Sequence, residues 1–362
     1  MDMEEWRLLD PGPMPAWKQM ALDKVVIEAR ADGQVPNTLR FMEFSPHTAL
    51  VGYHQAVDLE IDRDEARRLG VDINRRITGG GAIYMDERQL GWELCVRFDK
   101  DKRIRPEALY PKLAQVVIES LKSWGIEAKF RPVNDVEIEG RKISGTGGSD
   151  YRGAVIYQGT LLLDFNVEIM LRVLKLPIEK LTDKVIDSFQ KRLVTMREIL
   201  GYMPAMDDVK RSVKEALTRV LGVKLTPSEL SPEEKRAWDA IQPFYHTDKW
   251  IDLRKVPNPI ENYPVHSLTY KAPGGLLRIL LQTDVGQKHI KKAFITGDFF
   301  VYPERAVLDL EAALKEAPLR LKDLSDILKA HYRQNFNYMG VGVNDWLQAL
   351  ATVCDQNQEG LL

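Results

Sequence analysis

The sequence predicts a mixed α+β protein with two domains, and three observations support this prediction. Over the first 224 residues, strand-like and helix-like segments follow one another irregularly, unlike a doubly wound nucleotide fold. The segment VIYQGTLLLDF, residues 155–165, has the strongest strand pattern. Six prolines between residues 225 and 265 indicate a linker. We therefore expect a larger domain over residues 1–245 and a smaller α/β domain over residues 246–362.

Hydrophobic spacing predicts the individual elements. After Pro15, the residues Leu22, Val25, Val26 and Ala29 have the i, i+3, i+4, i+7 spacing of one helix face. Strands are predicted over residues 38–44, 48–53 and 92–98 and in the segments LLRILLQTD and KKAFITGDF. Helices are predicted over residues 64–70, 207–221, 233–241 and 321–333, from Pro106 onward, and from Pro303 to Leu314.

Composition excludes several classes of protein. The 362 residues carry a net charge of −2, so no global basic field indicates a nucleic-acid partner. The two cysteines, Cys95 and Cys354, lie far apart, which argues against a zinc site and a disulfide framework. No run of about 18 apolar residues predicts a membrane span, and the acidic N-terminus does not resemble a secretory signal. The expected location is the cytoplasm.

The first motif that indicates chemistry is RRITGGGA, from Arg75 to Ala82. Three consecutive glycines let the backbone approach a ligand closely and adopt positive φ, and successive N–H groups can form an anion nest. The adjacent Arg76 offers a fork of donors that matches a carboxylate or a phosphate. A flexible turn between strands is the alternative interpretation.

A second motif, GRKISGT, runs from Gly140 to Thr146. A lysine on a tight hairpin, here Lys142, can direct a compact cation at a phosphate. Asn134 and Asp135 precede it, and the carboxylate of Asp135 could hold Mg²⁺ or fix the lysine. A solvated surface hairpin and an ordinary turn are the alternatives.

A third motif, QGTLLL, begins at Gln158. A glycine within a strand permits close approach of a ligand or of another backbone. A buried strand with a bulge explains the motif equally well.

The three motifs, in this order, resemble those of the lipoate–protein ligases, whose fold is of the biotin/lipoate ligase type. The family patterns RRxSGGGAVxHD, ND with GRKxSGSA, and HGTLL stand here as RRITGGGAIYMD, NDVEIEGRKISGTG and YQGTLLLDF. LLDPGPMPAWKQMALD, VGYHQ and RLVTMREIL extend the resemblance over most of the first 225 residues. KAPGGLLRI and ITGDFFVYPERAVLDLEAAL are similar to the accessory C-terminal module, which some organisms make as a separate protein needed for adenylation.

The resemblance implies an ATP-dependent ligase that activates lipoate or octanoate as the acyl-AMP and transfers the acyl group to a lysine of a carrier. The carrier would be an H-protein-like protein or the E2 lipoyl domain of a 2-oxoacid dehydrogenase. Lys142 and Asp135 would be catalytic, and Asp135 would also bind Mg²⁺. The implied nucleotide-binding residues are Arg76, Thr78, Gly79, Gly80, Gly81, Ala82, Ile83, Asn134, Lys142 and Ser144. The implied lipoyl pocket consists of Tyr53, Arg76, Met85, Gln158, Gly159 and Thr160.

Two positions depart from the family pattern. Met85 and Gln158 stand where the family usually has histidines, which bears on acyl-chain specificity and on the choice of carrier. Two alternatives stay open: an ATP-independent octanoyl or lipoyl transferase with a thiol relay, and a non-catalytic protein that binds lipoylated carriers. The segment AKFRPVNDVEIEG before the GRK motif contains no cysteine, and Cys95 lies on a predicted half-buried strand, which disfavours the thiol relay. Biotin ligation is disfavoured because the GRGRxGR loop is absent.

Overall fold

The computed structural model describes residues 3–97, 106–132, 134–176, 182–334 and 336–359, so Phe98, at the end of a predicted strand, lies outside the described residues. The chain divides into two compact units. The first unit contains residues 1–50, 61–77 and 83–251, and the second contains residues 51–60, 78–82 and 252–362. Two short segments from the first third of the chain therefore belong to the same unit as the C-terminal part.

The strands that precede residue 251 are β1 (Glu4–Leu9), β2 (Pro13–Met14), β3 (Thr38–Phe44), β4 (Thr48–Val51), β5 (Asp72–Arg75), β6 (Ile83–Met85), β7 (Gln89–Val96), β8 (Lys129–Arg131), β9 (Asp135–Ile138), β10 (Arg141–Tyr151), β11 (Ala154–Leu162) and β12 (Val223–Pro227). The helices in this part are α1 (Ala16–Ala31), α2 (Val57–Glu60), α3 (Arg63–Leu69), α4 (Pro106–Lys122), α5 (Val167–Val173), α6 (Asp183–Gln190), α7 (Met196–Leu200), α8 (Met206–Leu221), α9 (Pro232–Tyr245) and α10 (Asp248–Ile251).

The later elements are β13 (Val265–Ala272), β14 (Gly275–Asp284), β15 (His289–Gly297), β16 (Val301–Tyr302), α11 (Ala306–Leu314), α12 (Leu321–Tyr332), β17 (Asn337–Tyr338) and α13 (Val343–Glu359).

One mixed sheet organises the first unit, with strand order β12-β1-β3-β7-β11-β10-β9-β8. Strand β1 is parallel to both of its neighbours, β3 and β12, whereas β7 pairs antiparallel with β3 and β11. A second, three-stranded sheet has the order β5-β4-β6. This arrangement is the mixed α+β class that the sequence predicts, and it brings the GRK and QGT motifs onto the adjacent strands β10 and β11.

Helix α1 packs its apolar side against the main sheet. Leu22, Val26 and Ile27 of the helix form a buried cluster with Ile156 of β11 and Cys95 of β7. Burying such side chains contributes roughly 1.5–3 kcal/mol each. The helix thereby covers the face of β3, β7 and β11 on which several polar side chains also lie.

The proline-rich segment contains more structure than its composition indicates. Ser231 caps α9 and shares a reciprocal capping box with Glu234, while Pro232 occupies the first turn, where no N–H is needed. Glu234 also forms a buried ion pair with Arg7. Trp238 donates to the carbonyl of Lys18 at 3.0 Å, so α9 is anchored on α1.

The second unit contains the three-stranded antiparallel sheet β13-β14-β15 and the helices α11–α13. Its core combines Leu277 and Ile295 of the sheet with Leu310, Leu328 and Trp346 of the helices. Strand β15 continues into the segment Gly297–Phe300, whose first phenylalanine, Phe299, is fully buried.

Candidate functional site

Lys142 follows a two-residue hairpin at Glu139–Gly140. Both hairpin residues have positive φ, 50° and 80°, the conformation that a tight turn between β9 and β10 requires. Register then shifts between Lys142 and Ser144 relative to β9. A bulge of this kind redirects side chains locally and is frequent beside active sites.

The ammonium of Lys142 forms an ion pair with Asp135, at 2.7 Å from Oδ1. The geometry is that of an ion pair rather than of an aligned hydrogen bond. Gly145 makes the approach possible, because a Cβ at that position would lie 2.6 Å from Nζ of Lys142. The side chain of Lys142 is 38% exposed and that of Asp135 is 22% exposed, so the cation can still reach a ligand.

The RLVT segment, residues 192–195, lies along the edge of β10 opposite β9 and bonds to the backbone of Lys142. The N–H of Lys142 donates to the carbonyl of Arg192 at 2.9 Å, and the N–H of Val194 donates to the carbonyl of Lys142 at 3.0 Å. The lysine is therefore fixed on both edges of its strand, which pre-organises its side chain.

Asn134 has a local structural contact. Its side-chain amide donates to the carbonyl of Thr146 at 2.6 Å, and Thr146 returns its N–H to the carbonyl of Asn134 at 3.0 Å. Ser144 is different, because its hydroxyl is buried and has no hydrogen-bond partner among the described residues. Of these two predicted nucleotide-binding residues, Ser144 is therefore the one whose side chain makes no hydrogen bond to a described residue.

Arg76 is buried and donates to the carbonyl of Leu50 at 3.1 Å. Burial lowers the pKa of its guanidinium to about 10, and the carboxylate of Asp23 offsets part of that effect. Arg76 therefore remains a cation at neutral pH. A buried guanidinium of this kind is suited to bind a carboxylate or a phosphate.

The QGT motif lies beside the GRK motif. The hydroxyl of Thr160 lies 3.3 Å from both the N–H and the carbonyl of Gly145. Gly159 pairs with Trp92, and a Cβ on this glycine would lie 2.5 Å from the indole ring. Met85, on β6, is buried. The structure thus brings two of the predicted motifs together.

A buried polar cluster lies between α1 and the sheet, and it was not predicted from the sequence. We call it the Arg40 cluster; its members are Gln19, Asp23, Arg40, Glu93 and Gln158. The first four side chains are fully buried.

Arg40 is at the centre of this cluster. Its guanidinium contacts Asp23, lies 3.0 Å from Glu93 and donates to Gln19 at 2.7 Å. Gln158 donates to Asp23 at 2.9 Å and to Glu93 at 2.8 Å. The available signal in the sequence was a charged residue on each of two strands, since Arg40 and Glu93 are cross-strand neighbours.

Burial raises the pKa of the Asp23 carboxyl well above its ordinary value, and the nearby Glu93 raises it further. Arg40 and Gln158 act in the opposite direction without cancelling the effect. Gln158, a predicted pocket residue that departs from the family pattern, therefore belongs to a network of buried charges.

Residues 78–82 of the RRITGGGA motif, which we call the glycine motif, belong to the second unit, as does Tyr53. Gly80 has φ +93°, which favours glycine, and the N–H of Tyr53 donates to the carbonyl of Thr78 at 2.9 Å. Ile83 begins β6 in the first unit. The predicted site residues are accordingly distributed over both units: Tyr53 and residues 78–82 in one, and the remainder in the other.

Both cysteines are buried. Cys95 is fully buried on β7, where burial first and the neighbouring Glu93 second raise the pKa of its thiol well above the ordinary value. Cys354 is 2% exposed, in helix α13. Neither thiol is accessible, as a nucleophilic cysteine must be, and the raised pKa of Cys95 also disfavours its thiolate.

An open cavity of about 570 Å³ lies in the first unit, lined by residues such as Arg141, Asp164, Lys191, Arg197 and Glu198. None of the predicted site residues lines it. Two of its arginines are already paired with carboxylates, Arg141 with Glu198 and Arg197 with Asp164. The cavity adjoins the backbone of Lys142, because Arg141 and Leu193, which flank that residue, belong to its lining.

Within the part of the chain that the structure describes, no three or more histidine, cysteine, aspartate or glutamate side chains are grouped to hold a metal ion. Asp135 offers one carboxylate, paired with Lys142, and Mg²⁺ commonly combines one or two protein carboxylates with substrate phosphates. Among the described helices, none has the length and apolar character needed to cross a membrane.

Comparison with known proteins adds a family match. The model of the family described as the lipoyl protein ligase A/B catalytic domain matches residues 15–218. The octanoyltransferase LipM of Kyrpidia tusciae is 28% identical over 273 residues, 68% of this chain and 98% of that protein. LipM of Bacillus subtilis is 24% identical over 275 residues, 69% of this chain and 99% of that protein.

Two solved structures have a similar fold. A bi-partite lipoate protein ligase from Thermoplasma acidophilum aligns with a TM-score of 0.62 and 23% identity, over 72% of this chain and 100% of that one. LipL1 of P. falciparum in complex with lipoate aligns with a TM-score of 0.71 and 15% identity, over 97% of this chain and 99% of that one. These likenesses confirm the predicted fold class.

Proposed function

Because the chain belongs to the lipoyl protein ligase A/B catalytic domain family, an enzyme family of ligases and acyl transferases, we propose that it is an ATP-dependent lipoate–protein ligase. It activates lipoate or octanoate as the acyl-adenylate and passes the acyl group to a lysine of a lipoyl domain or an H-protein-like carrier. The family membership supports acyl transfer in general, and the choice of route rests on residues of this chain.

The observation that carries the choice of ATP is the burial of both thiols. A thiol relay requires a cysteine that becomes a thiolate and reaches its substrate. Cys95 is fully buried with a raised thiol pKa, and Cys354 is 2% exposed. An enzyme without a reachable thiol needs another way to activate the carboxylate, and adenylation by ATP supplies one.

In the first half-reaction, the carboxylate attacks the α-phosphate of ATP and pyrophosphate leaves. Lys142, which is partly exposed, and Arg76, which is a buried cation, stabilise the negative charge that develops on the non-bridging oxygens. Asp135 would hold Mg²⁺, which neutralises phosphate charge when it is bound. The N–H groups of residues 78–82 donate to phosphate oxygens.

In the second half-reaction, the amine of a carrier lysine attacks the mixed anhydride and AMP leaves. Lys142 stabilises the oxyanion of the tetrahedral intermediate, and Asp135 keeps the ammonium in place between the two steps. No covalent acyl-enzyme is formed on this route.

The decisive experiment measures lipoate-dependent exchange of labelled pyrophosphate into ATP, without a carrier, for the wild type and for a double variant Cys95→Ser, Cys354→Ser. We expect exchange by both proteins. A folded wild type that shows no exchange in the presence of Mg²⁺ would contradict the proposal.

A second candidate, an ATP-independent octanoyltransferase, is favoured by the names of the relatives, several of which are octanoyltransferases LipM. It predicts transfer from an octanoyl thioester of a carrier protein to a lipoyl domain without ATP, and loss of that transfer in the double cysteine variant. A non-catalytic carrier-binding protein predicts neither exchange nor transfer.

A further inference from the structure

The segment Gly297–Phe300, which we call the GDFF segment, has no role in the function proposed above. Within the second unit it lies directly against the glycine motif of residues 78–82. A Cβ at Gly79 would lie 2.7 Å from the carbonyl oxygen of Phe299 and 2.9 Å from the ring of Phe300. Gly79 therefore packs against this segment so closely that no side chain fits there.

A second set of contacts reaches the glycine motif through residues 52–56. The hydroxyl of Thr296 donates to the carbonyl of His54 at 2.7 Å and accepts the N–H of Ala56 at 3.1 Å. The ring of His54 stacks on Phe299, with centroids 5.4 Å apart and an interplanar angle of 12°. Thr296 and Phe299 together fix the path of this short segment.

Residues 52–56 in turn hold the glycine motif. The N–H of Tyr53 donates to the carbonyl of Thr78 at 2.9 Å. A Cβ on Gly52 would lie 2.0 Å from the carbonyl oxygen of Gly80, so the two backbones are in direct contact. The glycine motif is thus supported directly by the GDFF segment and indirectly by Thr296.

We propose that Thr296 and the GDFF segment are positioning residues that keep the backbone donors of residues 78–82 in the geometry needed to bind the nucleotide. This inference rests on the proposed adenylation. Donors that stabilise a transition state must be held within about 0.5 Å of the productive geometry, and three consecutive glycines cannot hold themselves there. On this view the C-terminal region takes part in adenylation through the shape of the loop, and no side chain of its own reacts.

The test compares Thr296→Val with Thr296→Ser in the full chain. Valine keeps the volume and removes both hydrogen bonds, whereas serine keeps the hydroxyl. Thr283→Val is the matched control, because Thr283 is equally buried in the same unit and its hydroxyl contacts His266 instead. Phe300→Ala is a second test variant, since its half-buried ring can be removed without opening the core.

The rate of amide hydrogen exchange over residues 76–84 reports how firmly the backbone of the loop is held, independently of catalysis. We expect about tenfold faster exchange in Thr296→Val and Phe300→Ala than in Thr296→Ser, Thr283→Val and the wild type. Pyrophosphate exchange should lose about tenfold to hundredfold in kcat/KM for ATP in the same two variants. Transfer from supplied lipoyl-AMP to a lipoyl domain should fall less, because that step no longer needs the triphosphate to be positioned.

The inference would be overturned if folded Thr296→Val and Phe300→Ala exchanged the amide hydrogens of the loop at the wild-type rate. Altered loop exchange with unchanged kcat/KM for ATP would overturn it as well. If the wild type itself shows no pyrophosphate exchange, adenylation is wrong, and the amide exchange still decides whether the GDFF segment holds the loop.

Discussion

The Arg40 cluster and the Lys142–Asp135 pair are both cation–carboxylate groups of the first unit, in opposite surroundings. Arg40, Asp23 and Glu93 are fully buried. Lys142 and Asp135 are 38% and 22% exposed. A buried charge is costly to separate from its partner, whereas a partly exposed lysine can exchange its partner for a ligand. From this comparison we expect that loss of the cation lowers stability in the first group and activity in the second.

The largest expected effect is on stability. Arg40→Met removes the buried cation that contacts both Asp23 and Glu93, so the free energy of unfolding should fall by about 3–5 kcal/mol. Urea unfolding followed by tryptophan fluorescence measures the change. Arg141→Met is the matched control: its ion pair with Glu198 is partly exposed, and its loss should cost at most about 1 kcal/mol. Equal costs for the two variants would contradict the comparison.

The second effect is on activity. Lys142→Ala should reduce the rate of pyrophosphate exchange at least about a hundredfold, because one pre-organised charge is lost from the transition state. Its free energy of unfolding should change by less than about 1 kcal/mol, since the ion pair with Asp135 is partly exposed. Lys122→Ala, on an exposed helix end, is the control for loss of a surface cation. Near-normal exchange by Lys142→Ala would refute the assigned role.

The third variant tests the contribution of Gln158 to the Arg40 cluster. Gln158→Leu removes the donor to both Asp23 and Glu93, and it should lower the free energy of unfolding by about 1–3 kcal/mol. Gln158→His introduces the residue that the family usually has at this position and keeps a donor, so it should cost less. Thermal unfolding of the two variants side by side checks the order. Identical stabilities would show that the amide does not support the cluster.

The smallest effect is on the pH dependence of stability. The raised pKa keeps the Asp23 carboxyl protonated in the folded state after the unfolded chain has ionised. Stability from this group is therefore complete at low pH and decreases as pH rises from about 4 towards the folded pKa. Asp23→Asn should remove that decrease, which amounts to at most about 1.4 kcal/mol per pH unit. Urea unfolding at several pH values measures the difference, and parallel curves would contradict it.

Much of the fold was predictable because its signals are local. Strand β3 has the predicted bounds, Thr38–Phe44, and α8 and α12 differ from prediction by one residue at one end. Strand β1 and helix α13 were missed. β1 owes its strand conformation to pairing with β3 and β12, which are distant in sequence. In α13, the spacing of Trp346, Leu350 and Val353 was an available signal.

Part of the candidate site was likewise predictable from local sequence signals, and part depends on tertiary contacts. The hairpin that presents Lys142 follows from Glu139–Gly140, a signal that can be seen in the sequence. The Arg40 cluster depends on a helix and three strands meeting, and no single segment contains that information. The assignment of residues 78–82 to the second unit also depends on tertiary packing. The nucleotide, metal and lipoyl roles of the individual residues stay predictions.

The second unit has a consequence for how the protein is made. A ribosome releases residues 51–60 and 78–82 long before it reaches Thr296, roughly 210 residues later. At bacterial and eukaryotic synthesis rates of about 5–20 residues per second, this interval lasts on the order of 10–40 s. During that time Thr296 and the GDFF segment, which support the glycine-rich stretch, have not yet been synthesised. A nascent chain is therefore exposed to proteases and chaperones at the stretch on which nucleotide binding is proposed to depend.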